Sequence, residues 1–146
     1  MKLPDAPIIE KARQWLAYAE EDLRAARHGF SMPETPPCRV IAFHAQQCAE
    51  KYLKAYLVFQ GVDFPFTHSL RRLLDLCAPV AAWAEQLRDA EELSPYAITA
   101  RYPGEDLIVS GAEARRAVEI AERVREVVRA ALREEGFEAG WENKAS

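Results

Sequence analysis

Read for spacing alone, the chain holds four long segments of helical period and none that alternates convincingly as a strand. In the first, from about Pro7 to His28, Ile8, Ala12, Trp15, Ala19, Leu23 and Ala26 share one stripe. Asp5 stands where an N-cap belongs, and Gly29 where the helix ends. The loop FSMPETPPC follows, its prolines excluding a helix interior. A second helix is expected from about Pro36 to Gln60, with Thr35 as cap and Gly61 as stop, because proline is tolerated in a first turn. After VDFPFT, Thr67 is placed to cap a shorter helix through about Cys77, and Pro79 breaks it. A helix around Ala81 to Glu92 comes next, then the loop-rich stretch LSPYAITARYPGEDLIV.

The last helix opens on Ser110, with Glu113 at capping-box spacing, and runs to about Glu135 before Gly136. Ala117, Ile120, Ala121, Val124, Val127, Val128 and Ala131 form its inward stripe. Arg115, Glu119 and Arg123 alternate in sign outside, spaced for i,i+4 pairs on a solvated face. No repeat and no second domain is evident. The pattern predicts an all-α, up-and-down bundle of four to five helices over residues 1–135, with 136–146 as a tail in which Trp141 is the one docking candidate.

The second helix has two faces. At about 100° per residue, Ile41, Ala45, Cys48, Tyr52, Ala55 and Phe59 lie near one line. Ala42, Ala49, Leu53 and Tyr56 widen that stripe, so the helix is buried over much of its girth. Beside it run His44, Gln47, Lys51 and Lys54. Polar groups next to a core must find partners or reach water. Two readings follow: the stripe lines a groove, ligand pocket or subunit interface, or the lysines snorkel at the core edge while His44 caps a loop.

Composition bounds the chemistry. The chain has 146 residues, 49% of them apolar, enough for one domain with one core. No apolar run reaches bilayer length and the N-terminus MKLPDAPIIEK has no long apolar segment, so a cytoplasmic location is expected. The net charge of −4 argues against a general duplex-coating protein, leaving only a local basic patch for nucleic acid. Cys38, Cys48 and Cys77 match no zinc spacing and sit among apolar residues, so reduced thiols and no metal are expected. No Gly-rich phosphate loop, paired-carboxylate site or Ser-His-Asp arrangement is evident, and no cofactor is implied.

Four stretches carry a family resemblance. FHAQQCAEKYLKAYLV closely resembles the signature helix of the HEPN family (higher eukaryotes and prokaryotes nucleotide-binding domain). THSLRRLLDLC is similar to its His-Ser/Asp-Leu segment, and PYAITARYPG to its Tyr…Arg-Tyr-Pro segment, with EIAERVREVV similar to its final helix. The resemblance spans about residues 7–133. It implies a helical bundle that dimerises, associates with nucleotides, and is often partnered by a small nucleotidyltransferase in a toxin–antitoxin-like pair. A subset of the family are metal-independent ribonucleases with an Arg-x(4–6)-His motif at a dimer cleft.

That late motif is missing, because no histidine follows Arg101; the three present are His28, His44 and His68. Such a nuclease needs a group titrating near neutrality, and imidazole is the natural one. Arg39 and His44 have the spacing, but on one continuous helix they stand about 140° apart and meet only across a dimer seam. Arg24 and His28 read as a solvated terminal pair. His68 reads either as a structural histidine packed on its loop or as a groove residue beside His44. Arg71 and Arg72 follow within a turn, suited to phosphate, while Tyr96, Arg101 and Tyr102 offer planes for stacking on a base. The leading expectation is therefore a homodimeric nucleotide- or RNA-binding module using His44, Gln47, Lys51, His68, Arg72, Tyr96, Arg101 and Tyr102. The alternatives are an endoribonuclease built on Arg39 and His44, and a structural adaptor without ligand.

Overall fold

The computed structural model describes residues 3–98, 104 and 107–138. Within them lie α1 (Ala6–Gly29), α2 (Cys38–Gln60), α3 (Leu70–Cys77), a 3₁₀ segment (Ala82–Ala97) and α4 (Gly111–Glu134), with no strand among the described residues. Helix α2 is central: it packs against α1, α4, α3 and the 3₁₀ segment. All of its expected apolar stripe is buried, from Ile41 to Phe59. Arg101, Tyr102, Pro103 and Trp141 lie outside the described residues.

The helix ends follow local chemistry, with corrections at several caps. Asp5 is the N-cap of α1, but its side chain takes no capping hydrogen bond; its carbonyl accepts from Ile8 and Ile9 instead. Helix α2 starts later than expected, with Pro37 rather than Thr35 as N-cap. Pro37 disfavours helical backbone at Pro36, as Pro36 does at Thr35, so the chain cannot turn helical before Cys38. Ser69, not Thr67, caps α3: its Oγ accepts from Arg72 N–H, while Thr67 Oγ1 accepts from Ser69 N–H. Ser110 and Glu113 form the full capping box on α4. Gly61 ends α2 in the left-handed region at φ 72°. Gly29 serves close packing instead. A Cβ there would stand 2.4 Å from Ile41 Cγ1, so its smallness lets α1 close on α2.

The segment expected as an α-helix from Ala81 to Glu92 is instead the 3₁₀ segment, broken at Leu87 (φ −105°, ψ 16°) and extending through Pro95. Its buried residues, Ala84, Leu87, Ala90 and Leu93, recur every third position. Three residues per turn puts them on one face of a 3₁₀ helix, whereas an α-helix would swing them round. Arg123 of α4 reaches this segment, donating to Gln86 O at 2.9 Å and pairing with Asp89. It is thus tied to a neighbouring element and does not belong to a run of pairs along α4.

Buried thiols provide a check on the core. Burial pushes the Cys77 thiol up to about 12 and the Cys48 thiol well above its ordinary value. Cys38 is only half-buried. A disulfide-exchange reagent at mildly alkaline pH should therefore modify one thiol in the native protein and all three in denaturant; three fast-reacting native thiols would contradict this core.

Candidate functional site

Helix α1 contributes Asp22, whose carboxylate faces the polar side of α2. His44 Nδ1 lies 2.7 Å from Asp22 Oδ1, and Lys51 Nζ lies 2.5 Å from Oδ2. His44 and Lys51 are two turns apart on α2, so one carboxylate bridges them. A second carboxylate, Glu50, sits on α2 itself with its side chain 3% exposed. Lys54 Nζ (3.0 Å), His68 Nδ1 (2.9 Å) and Gln46 Nε2 (3.1 Å) all converge on it. Gln46 also donates to His68 O, and Gln47 Nε2 donates to Gln46 Oε1 at 2.6 Å. Both carboxylates, the Lys54 ammonium and the Gln46 amide thus meet counterparts, the condition for leaving them in a core.

The expected stripe therefore divides. Gln47 is buried and turned to Gln46. Lys54 does not snorkel: it is 5% exposed, with its ammonium 5.2 Å from the Trp15 ring, 5.8 Å from Phe64 and 6.0 Å from Phe66. His44 caps no loop, since its ring is held by α1. At the rim, His44 and His68 keep partly exposed side chains (29% and 50%). A carboxylate can only accept, so Nδ1 of each ring carries the hydrogen and the neutral ring offers Nε2 as acceptor. Neither Nε2 has a partner among the described residues.

A small cleft of about 100 Å³ at the start of α2 gathers Arg39, Val40, Phe43, Tyr96, Ile98 and Leu107. Phe43 stands edge to face with His44, centroids 5.2 Å apart, which links this cleft to the polar arc. Tyr96 also borders the space between the 3₁₀ segment and α4, where burial raises its hydroxyl pKa. Arg72 is exposed on α3, beyond His68. No group of three or more His, Cys, Asp and Glu among the described residues could hold a metal ion. No helix among them is long and apolar enough to cross a membrane.

A family model described as the HEPN domain matches residues 12–131. The chain belongs to the HEPN domain family. Two solved structures resemble this chain over most of their length. One, TT1696 from Thermus thermophilus, is 29% identical, covers 81% of this chain and 95% of its own, and superposes with a TM-score of 0.63. The other, ST0689, described as an archaeal HEPN homologue, is 29% identical, with 83% and 97% coverage and a TM-score of 0.61. No curated protein matches.

Two residues that hold this arc together, Asp22 and Glu50, were not among those singled out from the sequence. A signal existed for Asp22, which falls between Ala19 and Leu23 within the buried stripe of α1. Glu50 stands four residues from both Gln46 and Lys54, which is helical contact distance. Glu50→Ala should strand the Lys54 ammonium and lower unfolding free energy by about 3–5 kcal/mol in urea melts, the range for breaking a buried pair. Adding Lys54→Met removes the stranded charge and should recover part of that loss. Equal losses in the two variants would mean that the pair is not what holds the arc.

Proposed function

We propose that this HEPN domain is a homodimeric module that binds nucleotides or RNA and works in the cytoplasm beside a small nucleotidyltransferase, as one member of a toxin–antitoxin-like pair. The observation that carries the reading is the pair of rim imidazoles, each oriented by a buried carboxylate with Nε2 unpartnered among the described residues. Such rings are set to hydrogen-bond a base edge or a ribose hydroxyl without first reorganising. Arg72 and Arg101 supply charge for phosphate, and Tyr96 and Tyr102 supply faces for a base. Gln47 and Lys51 act from behind: Gln47 braces Gln46, and Lys51 shares Asp22 with His44. Family membership supports the dimer and the partner.

One feature favours a second reading, an endoribonuclease built on Arg39 and His44. An imidazole fixed on a carboxylate is the form a general base takes. Against it, Arg39 and His44 lie on one continuous helix about 140° apart, so a single chain does not converge them. RNA incubated with the protein in EDTA should accordingly stay intact or degrade only weakly. Efficient cleavage abolished by both His44→Ala and Arg39→Ala would replace the binding reading with the catalytic one.

Binding itself is tested by titrating mixed nucleoside phosphates and short RNA against the protein, with light scattering on the same samples at micromolar concentration. A dimer is expected, and a monomer would remove the subunit seam from the proposal. Arg101→Ala should weaken a phosphate-bearing ligand by about 1–3 kcal/mol, the range for a charge-assisted hydrogen bond. His44→Gln, which keeps a donor and an acceptor, should be milder than His44→Ala. Unchanged affinity in all three variants would leave the arc as a dimer or adaptor surface.

A further inference from the structure

Phe66 is 92% exposed, more than any other large apolar side chain among the described residues. Its ring stands edge to face with His68, centroids 5.5 Å apart and planes at 73°. The segment carrying it is braced: Thr67 Oγ1 and Ser69 Oγ each take a backbone N–H, and His68 is anchored on Glu50. A bonded frame therefore holds the ring out in water. The core makes little use of it.

Two guanidinia stand on the same segment. Arg71 and Arg72 are exposed, and neither side chain has a partner among the described residues. Several other arginines are tied to carboxylates: Arg27 to Glu122, Arg88 to Asp75, Arg116 to Glu92, Arg123 to Asp89 and Arg125 to Glu20. Asp75, on the same helix, is held by Arg88, and Glu50 by Lys54 and His68, so both of these carboxylates are already engaged elsewhere. On a chain of net charge −4, this short stretch is locally cationic.

We propose that Phe66, His68, Arg71 and Arg72 form a shelf for single-stranded nucleic acid, with a base stacked on Phe66 and the flanking phosphates on the two guanidinia. The proposal rests on the nucleotide-or-RNA reading above and narrows its ligand to a strand longer than one nucleotide. A ring that docks a protein normally sits within an apolar surround that excludes water. Phe66 is bordered instead by the His68 imidazole, with the Lys54 ammonium 6.0 Å from its ring centre. A base brings its own π-face and needs no such surround. Bases in a duplex are already stacked on one another, so a duplex has no free face to offer.

The test is fluorescence anisotropy with a labelled oligouridylate, a duplex of equal length, UMP as competitor, and polyglutamate as a control polyanion. Phe66→Ala should weaken oligouridylate binding about tenfold. Phe66→Trp should retain binding, and its added emission should be quenched as a base stacks. Arg71→Ala combined with Arg72→Ala should flatten the slope of log affinity against log salt by about 1.4, roughly 0.7 per phosphate contact on a single strand. The duplex should bind more weakly than the strand. Oligouridylate bound equally by wild type and all these variants would overturn the shelf while leaving RNA binding intact, as would UMP binding without strand binding. Binding of neither ligand would remove both readings. Polyglutamate captured through the same residues in place of oligouridylate would also overturn the proposal and reassign the shelf to an acidic protein partner. Phe66 is exposed but stands 6.0 Å from the buried Lys54 ammonium, so circular dichroism of each variant checks that the fold is kept.

Discussion

Everything in this bundle depends on how α2 buries its polar side. A helix packed against every other element has little face to give to water, and this one carries Gln46, Gln47, Glu50 and Lys54 inside the protein. An isolated buried charge costs several kcal/mol, and only a saturated set of partners offsets that. Glu50 meets this condition with three donors, and Asp22 meets it with two. The requirement is also directional. Asp22 can clasp His44 and Lys51 only if α1 holds one rotation and one height against α2, so the pair fixes register as well as charge. Gly29, at the close approach to Ile41, lets the far end of α1 keep that register.

A second polar knot joins the remaining long helix. Tyr52, fully buried on α2, donates to Glu20 of α1 at 2.5 Å, and Arg125 of α4 donates to the same oxygen. Burial and the Glu20 carboxylate both push the Tyr52 hydroxyl pKa far upward, so it stays a donor throughout the working range of pH. Helices α1, α2 and α4 therefore meet at one acceptor, while apolar contacts supply most of the stabilisation around it. Such networks specify arrangement more than they add stability. This fits a domain whose polar arc must hold its rim side chains in place.

How much of this was legible follows from the range of each interaction. The long α-helices could be read because their apolar period is local, and the α4 capping box because Ser110 and Glu113 lie within one turn. The 3₁₀ segment was harder: its three-residue period is visible in Ala84, Leu87, Ala90 and Leu93, but over a short stretch it mimics the i,i+3 half of an α-helical pattern. The late start of α2 depended on two consecutive prolines acting on the residues before them. At the site, the polar stripe was visible because it broke an apolar pattern. Its partners were not, because the Asp22–His44 contact joins residues on different helices, and spacing within one helix carries no information about the facing one. Glu50 was hidden differently: beside Lys51 and Lys54 it looks like ordinary surface charge.

The same electrostatics explain where recognition chemistry is concentrated. With acids in slight excess, most arginines of this bundle that reach a neighbouring element find a carboxylate there. Each such pair is a bond across the surface and also a cation withdrawn from any phosphate. Lys51 and Lys54 are neutralised in the same way beneath it. A ligand approaching the polar arc thus meets oriented imidazoles and aromatic edges, with exposed guanidinia at Arg71 and Arg72 beside His68. Long-range attraction is consequently local to that stretch, and selectivity must come from hydrogen-bond geometry and stacking at short range.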